Sequence, residues 1–148
     1  MLNHLENVFA SFQKYEVKYV VIGGIAAVLH GVPRATFDLD ILIEASLENA
    51  RKLLDALLEA GIGSSSQITT QELLENEITI FEDKVRIDVQ TSTPGLKFNQ
   101  AWQNHIEMGY QGQFFQVVSK KDLIKSKRAS GREVDLEDVR LLELENEK

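Results

Sequence analysis

Apolar residues switch between two spacings along this chain, and each switch marks an element. Leu5, Val8, Phe9 and Phe12 recur at i, i+3, i+4 and i+7, which predicts an opening helix with one buried face. Lys18–Ile22 is a short β-rich run, with its strand over Tyr19–Ile22, and it ends at Gly23-Gly24. A short helix over Ile25–His30 follows, closed by Gly31 and barred from continuing by Val32-Pro33. Phe37–Ile43 reads as a second strand. Ser46 caps a helix over Leu47–Ala60, with an apolar stripe of Ala50, Leu53, Leu54, Leu57 and Leu58 and a stop at Gly61. The Gly-, Ser- and Thr-rich segment Gly61–Gln71 reads as a loop. Glu77–Phe81 and Lys84–Gln90 form a hairpin joined at Glu82-Asp83, and Pro94-Gly95 is a turn. Phe98, Trp102 and Ile106 lie at helical spacing and are assigned to the core, and Gln113–Val118 is predicted as an edge strand. Ser119 and Asp122 open a helix at capping-box spacing, and Val134–Leu144 is a last amphipathic helix with Val139 and Leu142 inward. No internal repeat or boundary interrupts the pattern, so 1–148 is read as one domain.

Composition removes several classes. With 148 residues, 43% hydrophobic and 26% charged, the chain has the makings of a folded domain with a real core. It contains no cysteine, which excludes disulfides and thiolate metal sites. No basic start with an apolar leader is present, and no apolar run reaches spanning length, so a soluble, cytoplasmic protein without a membrane partner is expected. The net charge of −7 works against nucleic-acid binding by bulk attraction. Against it stands a basic cluster of Lys120, Lys121, Lys125, Lys127, Arg128 and Arg132. Most of it reads as a solvated helix face. Lys127, stacked one turn beyond Leu123 on the buried stripe, is instead read as a phosphate contact. Asp135 and Asp138, near the start of the last helix, suit its dipole and can pair with the basic helix.

The candidate chemistry lies in Val20–Ile43. Side chains alternate along a strand, so Asp38 and Asp40 share one face while Leu39, Ile41 and Ile43 take the other. Two like charges about 6.6 Å apart repel by roughly 2–3 kcal/mol at an effective dielectric of about 20, which points to a cation site. Arg86, Asp88 and Gln90 form the polar face of a later strand, and if the two strands are neighbours Asp88 brings a third carboxylate. Gly23 and Gly24 permit a sharp turn and close approach to a ligand, with the next helix directing its N–H groups at phosphate oxygens. Arg34 reads equally as a surface ion pair with Asp38 or as a cation near phosphates. Thr36 leads into the aspartate strand. His30, at a helix end, reads as packing or capping and has no metal role. A dinucleotide or P-loop site is excluded, because no third glycine falls at fingerprint spacing and no Gly-Lys-Ser/Thr follows the glycine pair.

Gly23-Gly24, thirteen intervening residues, Asp38-Leu39-Asp40 and a later Ile87-Asp88-Val89 together resemble the signature of the polymerase-β-type nucleotidyltransferase superfamily. The tail KKDLIKSKRASGREVDLEDVRLLE resembles the helical end of small bacterial nucleotidyltransferases, including relatives in toxin–antitoxin and abortive-infection systems. The gap from glycine to aspartate is at the long end of the family pattern, and Gly24 stands where serine is more familiar. The resemblance implies an α+β fold, a mixed β-sheet flanked by helices with further helices at the C-terminus. It implies two Mg²⁺ ions at Asp38, Asp40 and Asp88, the last also helping to deprotonate an acceptor hydroxyl. It implies that a nucleoside triphosphate is bound through Gly23, Gly24, Arg34, Thr36 and Lys127. The reaction implied is transfer of a nucleoside monophosphate to a hydroxyl, with release of pyrophosphate. The acceptor is left open between an RNA end, a protein and a small molecule, and the small size suggests that a homodimer or partner protein builds its side of the site. The alternative is a nucleotide-binding or regulatory module of the same fold with weak or lost catalysis.

Overall fold

Every strand here is short, so what places the acidic residues is the order in which the strands are joined. The computed structural model describes residues 5–146. The chain runs α1 (Glu6–Lys14), β1 (Tyr19–Ile22), α2 (Gly23–Leu29), β2 (Asp38–Ile43) and α3 (Leu47–Glu59). A short 3-10 helix (Gly63–Gln67), α4 (Thr70–Glu75), β3 (Ile78–Glu82), β4 (Arg86–Gln90) and α5 (Phe98–Asn104) follow. The chain continues through β5 (Ile106–Tyr110), β6 (Gln113–Val117), α6 (Lys120–Ser130) and α7 (Glu133–Asn146). The six strands form one sheet in the order β3-β4-β2-β1-β6-β5. β2 and β4 are parallel, as are β1 and β6, while the β1/β2, β3/β4 and β5/β6 pairs are antiparallel. This is the expected α+β architecture with a mixed sheet.

Central β1 is buried at all four positions, as a strand covered on both faces must be. One face is closed by α1, where Phe9 stacks on Phe115 at 4.4 Å and Phe12 meets Tyr19 at 4.8 Å. α3 packs against α1, and Ser46 caps it as expected by accepting from the Asn49 amide. The buried Asn49 side chain accepts from Lys18 N at 2.8 Å and donates to the carbonyls of Lys18 and Glu44 at 2.9 Å each. One amide therefore satisfies the backbone where β1 begins and β2 ends. Among the described residues no helix is long and apolar enough to cross a membrane.

Three expectations are corrected. The segment Gly61–Gln71 is not an open loop, because it holds the 3-10 helix and the start of α4. Thr69 and Glu72 form a reciprocal capping box there, and Leu73 is fully buried. Ile106 is in a strand, not on a helix. Gln111 and Gly112, both at positive φ, form a two-residue hairpin turn that pairs β5 with β6. As a result Gln113–Val117 lies inside the sheet, and β5 is the edge. The sharp turn expected at the glycine pair is made by Gly23 itself, at φ +70°, where α2 begins.

Leu73→Ala is expected to cost roughly 2–4 kcal/mol in urea denaturation, as a cavity in a packed site does. A residue in a solvated loop would cost less than about 0.5 kcal/mol.

Candidate active site

β4 lies parallel to β2 in a register that pairs Asp38 with Arg86 and Asp40 with Asp88. Paired residues of neighbouring strands point to the same face, so all four polar side chains stand together, with strands about 4.8 Å apart. Asp40 and Asp88 are cross-strand partners close enough for the Asp88 carboxylate to act on Asp40. The same row continues to Ile80 on β3 and Ile22 on β1.

Gly23 explains itself against this row. Its φ is +70°, and a Cβ there would lie 2.2 Å from Asp40 Oδ2. Only glycine fits, because any side chain collides with the carboxylate and strains the backbone. A Cβ on Gly24 would lie 3.0 Å from both Arg34 Nη2 and Thr36 Oγ1, so the loop entering β2 rests on the first turn of α2. The glycines, Arg34, Thr36 and the β2 aspartates are thus brought together.

Charge in this cluster is unevenly compensated. Burial, then the Asp88 carboxylate, then the Asp38 charge push the Asp40 carboxyl up to about 7, with Lys127 opposing from a distance. Asp88 is held by Arg86, whose Nε and Nη2 lie 2.9 and 3.3 Å from its two oxygens. Arg86 Nε also lies 3.9 Å from Asp38 Oδ2.

Lys127 and Arg34 are engaged elsewhere. The Lys127 side chain is only 5% exposed and sits 2.8 Å from Asp138 and 3.2 Å from Asp135. Arg34 places a fork on Asp138 at 2.9 and 3.1 Å, so the surface ion pair with Asp38 weighed for it is not formed. Arg132 Nε reaches Asp135 at 2.8 Å, and Ser130 also donates to that carboxylate. Burial raises the Asp135 pKa, but these hydrogen bonds and Lys127 outweigh it and hold the carboxyl below its ordinary range. The expected pairing of Asp135 and Asp138 with the basic helix is present. Three cations face two carboxylates here, so the cluster keeps a positive charge that reaches Asp40 from both Lys127 and Arg132. Lys120, Lys121, Lys125 and Arg128 lie apart from Lys127, along an open groove of about 1050 Å³, where Arg128 pairs with Glu143. His30 hydrogen-bonds the Val118 carbonyl at 2.8 Å, a packing role at the end of α2.

Among the described residues no three carboxylates or imidazoles already converge as a metal cage. The donor chemistry nonetheless suits a hard divalent ion, since Asp38 and Asp40 offer carboxylate oxygens at a point where negative charge is in excess. Asp88 adjoins Asp40 but is held by Arg86. Arg86 and Arg132 were missed as site residues. The spacing Arg86-x-Asp88 placed both on one strand face, whereas the pairing of Arg86 with Asp38 depends on a register that no local pattern reveals.

Two outcomes test this electrostatic account. Between about pH 4 and 7 the folded protein holds a proton on Asp40 that the unfolded chain releases, so this group's contribution to stability falls as pH rises through that window. Asp40→Asn is therefore expected to stabilise the fold by roughly 2–4 kcal/mol at pH 8, with the gain vanishing near pH 4. Asp138→Ala leaves Lys127 buried without its nearer partner, and is expected to cost roughly 3–5 kcal/mol in the same denaturation assay.

No curated protein matches the chain. The crystal structure of a candidate nucleotidyltransferase from Thermotoga maritima superposes with a TM-score of 0.61, covering 99% of this chain and 93% of that one at 16% identity. At that identity the likeness is one of fold. A family described as nucleotidyltransferase of unknown function (DUF6036) matches residues 2–147, and the chain belongs to that family.

Proposed function

We propose that this protein transfers a nucleoside monophosphate from a nucleoside triphosphate to a hydroxyl acceptor. The observation that carries this reading is the register of β2 and β4, which sets Asp88 beside Asp40 next to the close-packed Gly23. Asp38 and Asp40 would hold one Mg²⁺ ion and Asp88 would help to hold a second. When bound, such ions neutralise charge building on the attacking and leaving oxygens. The acceptor oxygen forms a bond to the α-phosphorus as the bond to the β-phosphate oxygen breaks. The hydroxyl proton passes to Asp88, and pyrophosphate departs. Backbone amides at Gly23 and Gly24 cradle the outgoing phosphates in this reading, with the Thr36 hydroxyl close to Gly24. Arg34 and Lys127, both bonded to Asp138, contribute through the net positive charge of their cluster, a fixed field of the kind that stabilises developing anions.

A second reading has its own supporting observation. Arg86 already neutralises Asp88, as suits a nucleotide-binding module of this fold with weak or lost catalysis, for example one partner of a toxin–antitoxin pair.

Incubation with α-labelled triphosphates, Mg²⁺, cell extract, tRNA and candidate partner proteins separates the two. Label on an acceptor from the native protein, and none from Asp38→Ala, is the expected result. Absence of label under every condition, with a Mg²⁺- and nucleotide-dependent rise in melting temperature that Asp40→Asn abolishes, identifies the binding module instead.

A further inference from the structure

The Arg86 guanidinium spans the gap between Asp88 and Asp38, bidentate on the first and within ion-pair reach of the second. Cross-strand pairing with Asp38 keeps it there, since its Cα partner is that aspartate. The guanidinium stays charged at any working pH, so Asp88 is occupied by a permanent counter-ion. The Asp88 side chain is 16% exposed and the Arg86 side chain 38% exposed. The acid is therefore set in place while the arm that covers it reaches solvent. Among the described residues the ion pairs of Arg86 are with these two aspartates, and Glu82, its antiparallel neighbour on β3, adds only its charge.

We propose that Arg86 is a resident counter-ion that competes with a second divalent cation for Asp88. Resting on the metal-site reading above, this means that one cation loads through Asp38 and Asp40. Asp88 becomes a ligand only when Arg86 lets go. An arriving triphosphate offers the guanidinium fork an alternative bidentate partner in its phosphate oxygens. Nucleotide binding and release of Asp88 therefore favour each other, and by linkage the preference is mutual.

Mn²⁺ titration of the full chain without nucleotide, followed by electron paramagnetic resonance of free Mn²⁺, counts ions directly and needs no turnover. The native protein is expected to bind one ion, and Arg86→Met to bind a second at least tenfold more tightly than the native protein does. Arg86→Lys, which keeps the charge but loses the fork, is expected to fall between them. Arg132→Met removes a charge that also acts on Asp40 without touching Asp88, so it reports the effect of charge alone. Coincident isotherms for Arg86→Met and the native protein overturn the proposal, as does an equal gain in Arg132→Met. If Asp40→Asn abolishes native binding while Arg86→Met changes nothing, the metal site stands and only the role of Arg86 falls. If neither the native protein nor Arg86→Met binds Mn²⁺, both fall.

Discussion

Parallel, in-register pairing of β2 with β4 is the constraint on which the site depends. A slip of one residue would turn Asp88 to the opposite face and set Ile87 or Val89 beside Asp40. Two features oppose that slip. Leu39, Ile41, Ile87 and Val89 are fully buried on the far face, and the antiparallel hairpin of β3 and β4 pins β4 from its other side. The acidic face is thus held by the apolar one. Hydrophobic burial on one side of the sheet stabilises a charge arrangement on the other that would not assemble alone.

The compensating charges come from the end of the chain. α6 and α7 bring Lys127, Asp135 and Asp138 into a buried network that also receives Arg34 from the loop before β2. Burying these groups separately would be costly, and together they satisfy one another. This alters the meaning of Lys127. Its position over the apolar stripe did mark a cation held by anions, but the anions it meets directly are aspartates of the same chain.

Much of this was readable before any coordinates. Alternation in Asp38-Leu39-Asp40 and Arg86-Ile87-Asp88 fixes which residues share a face, the helix period locates α1, and periods with the cap residues Ser46 and Ser119 locate α3 and α6. Gly23 proved necessary for a reason of the kind anticipated, close approach, although the atom approached is an Asp40 oxygen. Failures came where local pattern is thin or contacts are distant. β5 is exposed at four of its five positions and lies on the sheet edge, so no buried stripe announced it. α4 is one and a half turns long, and its Thr69-x-x-Glu72 box was lost among serines and glycines. The roles of Arg86 and Arg34 follow from neighbours fixed only by tertiary structure, where sequence spacing carries no signal.

The bond from Arg34 to Asp138 joins residues 104 apart, well over half the span of the described chain. During synthesis the loop leading into the aspartates emerges well before the residue that fastens it, 104 positions later. Closing so long a separation carries an entropic cost that only the folded sheet offsets, so this fastening comes late. A chain halted before α7 lacks Asp135 and Asp138, the counter-charge for Arg34 and Lys127. The charge balance beside the acids is thus set only once α7 has been made.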